Sequence, residues 1–501
     1  MEVVLACDLG GTSFRACLVT DAGDFKAQTA IASPVATGHD GCAEIAPEAW
    51  WSNLVEACGQ LALQEPDLFR SVCAIAICGI TRSQVLLGAA GEAVRDAMTW
   101  NDRRASSVAT HLVSEFAGQH TEVQHLNAFH PLARLVWMKV NEPEVFQRIR
   151  QVLDPKDYLN FRLTGHAASD RISLARLLAS NRPKEGFDLL AACGISDGIL
   201  PQLNAPQDKV GTVQSNLPDP VDRLAGVPVF CCSNDTWAAV AGLGALRAGY
   251  AYNISGTTEV LGVMSDEPVA AEGLLTIDWG GLSQLGGPGL NGADTVSWLL
   301  SLLGQTQDDI ASKIKKLLSV PRQPQPLLFL PYLQGERVPY WDPSLRGAFI
   351  GLGRQHGAAD LVWAVMEGVA FLNRAVLERA ESALGWQASC IRFGGGGAVN
   401  PAWCQIKADI CGRPVETGAS PEPGVLGAAA VAWTGLGRFA SITCAQEQMV
   451  RVNCRFDPDP ARAQVYTKLF EQFQRSGEAL APVSRALAGI AAMPLHPPGT
   501  C

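Results

Sequence analysis

Short apolar runs alternate with polar breaks at the amino terminus. Val3–Asp8 is β-branched and apolar, Gly10-Gly11-Thr12-Ser13 interrupts it, and Ala16–Thr20 resumes it before Asp21-Ala22-Gly23-Asp24. The pattern predicts a β-hairpin whose first turn is rich in glycine and hydroxyls. The same shape returns at Tyr250–Met264, where AYNIS leads through Gly256-Thr257-Thr258 into EVLGVM. This recurrence predicts two similar halves. Between the hairpins, Val72–Cys78 and Val227–Cys232 have the length and composition of buried strands, and Pro47–Leu63 and Ala105–Phe116 of helices. Asp360–Leu384 is the clearest helix. It sets Leu361, Ala364, Val365, Val369, Leu372 and Val376 on one stripe, and Glu367, Arg374, Glu378 and Glu381 on the other. Strands alternating with helices predict an α/β architecture. Pro321–Pro326 is expected to be a loop and Pro494–Cys501 a frayed tail.

Length and composition narrow the class. At roughly 150 residues per domain, 501 residues suggest two to four domains. Apolar residues form 48% and charged ones 18%, a globular balance that excludes disorder, collagen-like repeats and coiled coils. Lys plus Arg total 39 against 49 Asp plus Glu, a net charge of −10 that disfavours a phosphate-rich polymer as partner. The longest basic run is the short Lys313–Lys316 segment. There is no signal-peptide pattern and no stretch of about 18 apolar residues, so neither secretion nor a membrane span is expected. The 15 cysteines form no CxxC pair and suit reduced core thiols. A cytoplasmic enzyme is the resulting expectation.

Candidate chemistry begins with phosphate binding. No Walker-type GxxxxGK[ST] occurs. Gly287–Gly292 fits G-x-G-x-x-G, but a second helical segment and the proline loop follow it, so a turn with helix packing is expected there. Asp8–Arg15 (DLGGTSFR) is more informative. Backbone amides in such a turn can cradle phosphate oxygens, Asp8 can hold Mg2+, and Arg15 can neutralise a phosphate. A plain hairpin with a surface arginine is the alternative. Ser255-Gly256-Thr257-Thr258 offers a second such turn. The run Gly394–Gly397 discards side-chain packing, as a backbone approached by a flat ligand or a tightly packed neighbour would. Asp235 follows the Val227–Cys232 run and precedes small-residue Ala238–Ala245. Two roles stay open on position alone: accepting a hydroxyl proton during phosphoryl transfer, and capping the helix. His120, His125 and His130 do not share a helix face, and no G-x-S-x-G elbow supports hydrolase chemistry.

Taken together these residues resemble the FGGY family of carbohydrate kinases, within the actin-like ATPase fold. The strongest part is Gly347–Glu367, GAFIGLGRQHGAADLVWAVME, which fits the second family signature; Phe329–Pro343 (FLPYLQGERVPYWDP) is also similar. Phe129–Asn141 resembles the first signature, with Arg134 where the pattern has lysine and Val140 off-pattern. PKDYLNFRLTG (Pro155–Gly165) and WNDRR (Trp100–Arg104) look most like xylulokinases. The resemblance implies two actin-like (ribonuclease H-like) α/β domains with a central cleft. Residues 1–247 would carry sugar and catalytic base, 248–450 nucleotide, and 451–501 a closing helix and tail. It implies Mg2+ at Asp8 and Asp235, and Asp235 as general base. ATP would lie on Gly10, Gly11, Thr12, Ser13, Arg15, Gly256, Thr257, Thr258, Gly395, Gly396, Gly397, Asn400 and Gln405. Thr81, Arg82, Trp100, Asn101, Asp102, Phe129, His130, Asp235 and Thr236 would face the sugar, with Arg103 nearby.

The reaction so implied is ATP-dependent phosphorylation of a small sugar or polyol, a ketopentose such as xylulose or a relative. Two departures bear on the substrate. Thr81-Arg82 replaces the Met-His pair of xylulokinases, and Thr236 replaces the usual asparagine. Arg82 also suits a carboxylate, which keeps a sugar acid among the alternatives beside a non-catalytic sugar or ATP sensor. The oligomeric state is open, a homodimer being one option.

Overall fold

Val3–Leu9 is the strand around which the first sheet forms. The structure is a computed structural model that describes residues 1–33, 36–37, 41–181, 186–305 and 310–490. The expected tail Pro494–Cys501 lies outside the described residues. β1 (Val3–Leu9), β2 (Ser13–Val19), β3 (Phe25–Ala32), β4 (Val72–Gly79), β5 (Lys209–Thr212) and β6 (Pro228–Phe230) make a sheet in the order β5-β6-β4-β1-β2-β3. β1, β4 and β6 run parallel, and β2, β3 and β5 pair antiparallel to their neighbours. β1 and β4 are nearly continuous apolar runs because both of their faces are covered. Helix α1 (Pro47–Gln64) lays Trp50, Trp51, Leu54 and Leu61 into the core formed with Leu5, Cys7, Phe14 and Leu18.

A second sheet repeats this plan. β7 (Ala251–Ser255), β8 (Glu259–Ser265), β9 (Leu275–Asp278), β10 (Ser283–Pro288), β11 (Ile391–Gly394), β12 (Val415–Gly418) and β13 (Val452–Phe456) run in the order β9-β10-β8-β7-β11-β12-β13. β7, β8, β10, β11, β12 and β13 match β1, β2, β3, β4, β6 and β5 in neighbour and direction; β9 is additional. The recurrence of hairpins is thus a recurrence of whole sheets. Gly287 and Pro288 end β10, which is antiparallel on both sides, so the G-x-G-x-x-G segment lacks the parallel surroundings of a dinucleotide site. Glu336 fixes this segment, accepting from Leu290 N at 2.6 Å and Asn291 Nδ2 at 2.8 Å.

The chain divides into two compact units: Met1–Gly244 with Glu422–Val450, and Ala245–Pro421 with Arg451–Cys501. The expected division lies at residues 247/248, and residues 422–450, expected in the second half, pack with the first unit. Residues 422–450 belong with the first unit because helix α8 (Pro423–Gly435) is apolar on every side and is buried against β1, β4 and helix α4 (Asp235–Gly242). The two helices touch at glycines. A Cβ on Gly242 would stand 1.8 Å from Pro423 O, and one on Gly427 would stand 1.9 Å from Ala238 O.

In the second unit, α6 (Ala358–Leu384) buries its expected apolar stripe except for Leu361, which is half-buried. Its charged stripe corrects the amphipathic picture, since Glu367 and Glu381 are buried as well. Glu367 accepts from Arg322 Nη2 at 2.9 Å and Tyr466 OH at 2.7 Å, and Glu381 from Arg413 Nη2 at 2.6 Å. Paired and hydrogen-bonded, a carboxylate can occupy a position that the hydrophobic pattern assigns to solvent. Among the described residues no helix is long and apolar enough to cross a membrane.

Candidate functional site

In the first unit, the β1–β2 hairpin sets Asp8 directly opposite Arg15, on one face of the sheet. Its turn is closed by Gly10 N donating to Ser13 O at 2.9 Å, with Thr12 exposed at the tip. Arg15 Nε lies 3.1 Å from Glu422 Oε1, at the start of α8. Gly424 lies beside Asp8: a Cβ there would come within 2.5 Å of Asp8 Oδ2. Asp8 Oδ1 is buried without a protein partner. Burial and the nearby Asp235 carboxylate push Asp8 up to about 7, against the lowering pull of Arg15. Burial also pushes Asp235 up, opposed by hydrogen bonds from Thr236. Two carboxylates raised by burial, one of them also by the other and carrying an unmet buried oxygen, suit a shared divalent cation, whose charge would relieve both.

Asp235 is the first residue of α4 rather than a residue ahead of it. Capping falls to Asn234, whose Oδ1 accepts from Trp237 N at 2.9 Å. Asp235 Oδ1 accepts from Thr236 N at 2.6 Å and from Thr236 Oγ1 at 3.2 Å. The N-cap is therefore Asn234, and Asp235, one position inside, accepts at Oδ1 from the amide and hydroxyl of its neighbour.

The residues expected to face a sugar fall into two groups. Trp100 is 49% exposed, and its indole nitrogen lies 3.5 Å from where a Gly11 Cβ would stand, which puts it beside the hairpin turn. Arg82 is exposed and has a left-handed φ of 57°. Arg134, fully buried, donates to Arg82 O, to Thr99 O at 2.7 Å and to Asp102 O at 3.4 Å, so it clasps the loops carrying Arg82 and Trp100. Burial lowers the Arg134 guanidinium to about 10. Thr81 Oγ1 donates to Asp154 Oδ2 at 3.0 Å, Asn101 Oδ1 accepts from Thr99 Oγ1 at 2.7 Å, and Phe129 is partly buried. Arg103 is exposed and its N–H donates to Gly41 O at 2.8 Å.

Asp102 and His130 require correction. Asp102 is fully buried and engaged by Ala43 N at 2.8 Å and by the Arg104 guanidinium at 2.7 Å, so its carboxylate holds the loop together. His130 caps helix α2 (Pro131–Asn141), accepting from Leu132 N at Nδ1, and its Nε2 lies 3.0 Å from Glu122 Oε1. With Nδ1 accepting, Nε2 carries the proton. Burial lowers its pKa despite the Glu122 hydrogen bond, which keeps the ring neutral and structural.

In the second unit, the β7–β8 turn Gly256-Thr257-Thr258 is exposed and closed by Gly256 N donating to Thr258 O at 2.9 Å. It is backed by glycines. A Cβ on Gly292 would stand 2.5 Å from Thr258 C, one on Gly395 (φ 84°) 2.3 Å from Ser255 O, and one on Gly397 2.5 Å from Ser255 Oγ. Gly396 differs: a Cβ there would meet open space. Of the glycine run, Gly395 and Gly397 thus serve close backbone packing, and Gly396 leaves an unfilled surface. Asn400 caps α7 (Pro401–Cys411) through Ala402 N at 3.0 Å and Trp403 N at 3.3 Å. Gln405 is corrected from ligand contact to scaffold, because its Nε2 donates to Asp409 Oδ1 and Asp457 O, both at 2.9 Å.

Sequence reasoning missed Glu422 as the partner of Arg15, Asn234 as the cap and Ser255 as the residue the glycines enclose. Only Asn234 has a local signal, an Asx residue three positions before the amide it caps.

Comparison with known proteins divides the chain near the same first point, although the second matched region runs on through residues 422–436. The profile of the N-terminal domain of the FGGY family of carbohydrate kinases matches residues 3–242, and that of the C-terminal domain matches residues 251–436. The chain is 29% identical over 496 residues to the xylulose kinase of Escherichia coli (strain K12), covering 96% of this chain and 99% of that one. It is 28% identical over 491 residues to the xylulose kinase of Bacillus subtilis (strain 168), covering 95% and 96%. Among solved structures, a xyloylose kinase from Brucella ovis aligns with a TM-score of 0.86 at 26% identity, over 96% of this chain and 100% of that one.

Proposed function

Because the chain belongs to the FGGY family of carbohydrate kinases, which use ATP with Mg2+, we propose that it phosphorylates a ketopentose of the xylulose type, with Asp235 as general base. The observation that supports the base assignment is that Asn234, not Asp235, caps α4, with Asp235 close enough to raise an Asp8 carboxylate that has an unmet buried oxygen. Asp235 accepts the proton of the substrate hydroxyl as its oxygen bonds to the γ-phosphorus and ADP leaves. Asp8 and Asp235 are the groups to hold Mg2+, which when bound supplies charge neutralisation at the transferring phosphoryl group. The Gly10–Ser13 and Gly256–Thr258 turns are the candidate phosphate cradles. The Gly10 and Gly256 N–H groups close the turns, the residues that follow them face phosphate oxygens, and Arg15 supplies a positive charge. Gly396 offers its unfilled surface to the nucleoside. Trp100, Thr81, Arg82, Asn101, Phe129 and Thr236 remain the candidate sugar contacts; Asp102 and His130 act behind them.

A sugar acid is the second reading, favoured by one observation. Arg82 is presented at an exposed, left-handed position held by Arg134. A cytoplasmic setting suits the cysteines, every described one of which is free.

The test is ADP release with MgATP across ketopentoses, ketotetroses, hexuloses, polyols and aldonates, with Asp235→Asn as background. Turnover of a ketopentose that the variant abolishes is the expected result. Turnover confined to aldonates would transfer the assignment to the second reading. Unchanged turnover in the variant would remove Asp235 as base.

A further inference from the structure

The segment that delivers Asp235 is held from beneath by charged side chains that touch no solvent. Helix α3 (Pro155–Thr164) buries Lys156, Asp157 and Asn160 completely. Lys156 Nζ lies 2.5 Å from Asp157 Oδ1, 2.9 Å from Asp170 Oδ2 and 3.4 Å from Cys231 O. Asn160 Nδ2 donates to the same carbonyl at 3.2 Å. Asp170 Oδ1 accepts from Ser233 Oγ at 2.8 Å, and from Ile172 N and Ser173 N at 2.9 Å each. Between these anchors, Cys232 has a φ of 57°, a conformation unfavourable for a residue with a Cβ, and its N–H donates to Pro206 O at 2.8 Å. Asn234 follows, bridged to Gly79 at the end of β4, and then Asp235.

Asp157, Asp170 and Cys231 are close enough together to hold a metal ion, but the Lys156 ammonium stands between the carboxylates in place of a cation. Stability alone is a weak reason for such a cluster, since well-packed apolar side chains often serve as well or better. What apolar side chains cannot supply is direction. Left-handed backbone persists only where its surroundings over-determine it, and here hydrogen bonds grip the residues on both sides of Cys232.

We infer that Lys156, Asn160 and Asp170 form a buried positioning device that locks Cys231–Asn234 and thereby sets where the Asp235 carboxylate stands. The inference rests on the reading of Asp235 as base. These groups do not touch substrate; they act through the backbone of the β6–α4 connection. A misplacement of about 1 Å in a catalytic group can cost ~100-fold in rate, so the device acts on turnover rather than on binding.

Ser233→Ala is the mild test, since it removes one anchor and leaves Asp170 its two backbone donors and Lys156. Thr164→Val is the control: it removes a buried hydroxyl whose bonds go to Asn160 O at 2.7 Å and His166 N at 3.2 Å, at the other end of α3. Steady-state kinetics and thermal midpoints are measured for both, for Asp170→Asn and for Asp235→Asn. Expected is a loss of about tenfold or more in kcat for S233A, with KM for sugar and ATP within about twofold. T164V should keep kcat within about twofold even where its midpoint falls as far. If S233A keeps its kcat while D235N abolishes transfer, the positioning inference fails and the base assignment stands. If D235N keeps its kcat, both fail. Equal activity loss per degree in S233A and T164V would reduce the cluster to ordinary stabilisation and overturn the inference. Because D170N can fail to fold, S233A is the variant that decides between these outcomes.

Discussion

The two sheets share strand order and direction, yet the hairpins that open them are furnished in opposite ways. In the first unit the hairpin carries charge: Asp8 opposite Arg15, Arg15 on Glu422, and an Asp8 oxygen with no protein partner. The second unit's hairpin carries backbone. Gly256-Thr257-Thr258 is exposed, and Gly292 approaches it, as Gly395 and Gly397 approach the preceding Ser255, more closely than a Cβ would permit. Charge is present beneath it as a buried ion pair, in which Glu259 Oε1, like Asp8 Oδ1, has no hydrogen-bond partner. Lys407 Nζ bonds Asn253 Oδ1 at 2.8 Å, Glu259 Oε2 at 3.1 Å and Asn373 Oδ1. One scaffold thus serves two uses. In the first hairpin a carboxylate is raised by burial and by a second carboxylate, whereas behind the second hairpin the buried carboxylate is matched by an ammonium and glycines take the place of side chains.

The sharpest way to break this contrast is Asp8→Asn. If Asp8 is a cation ligand, kcat falls by about 100-fold or more, as for other changes to preorganised charge stabilisation. The same change has a signed effect on stability. Asp8 rises from an ordinary 3.8 to about 7 in the fold, so its stabilising contribution is full below 3.8 and lost as pH climbs through about 7. Ligand-free D8N should therefore melt above the wild type at pH ~8.5, by a margin that narrows as pH falls below about 7 and closes only near pH ~4. A D8N variant no more stable at the higher pH would mean Asp8 is adequately paired.

Next in size is Lys407→Met, which strands the buried Glu259 carboxylate. A loss of about 3–5 kcal/mol in denaturant unfolding is expected; a loss under about 1 kcal/mol would show that water already reaches the cluster. Glycine substitutions come third. Gly395→Ala meets Ser255 O and a left-handed φ and should lower the melting temperature by several degrees. Gly396→Ala meets nothing and should leave it unchanged while raising KM for ATP. Equal effects in both would dissolve the distinction between packing and presenting glycines. Smallest is Trp100→Ala: half exposed, it should scarcely move stability but raise KM for the sugar severalfold. An unchanged KM would take it out of the sugar site.

Local patterns made much of this legible in sequence. Both hairpins, the apolar stripe of α6 and the position of Asp235 follow from alternation, period and turn chemistry within a few residues. The repeated sheet was visible only as paired hairpins, since strand order is a long-range property. The return of residues 422–450 to the first unit, and Glu422 to Arg15 with it, has no local signature. Polar residues misled in a consistent way. Asp102, His130, Gln405, Glu367 and Glu381 look like solvent or ligand contacts, whereas they are buried or engaged by partners distant in sequence. Patterning equates polar with exposed, and a satisfied buried polar group is the exception it cannot see.

The most direct test of the division between the two units is D-xylulose phosphorylation by the wild type and by Asp235→Asn, with ATP affinity measured on both. The account predicts that kcat falls by about 1,000-fold while the Kd for MgATP stays within about twofold. Sustained phosphorylation by the variant, or a loss of ATP binding as large as the loss of turnover, would contradict it.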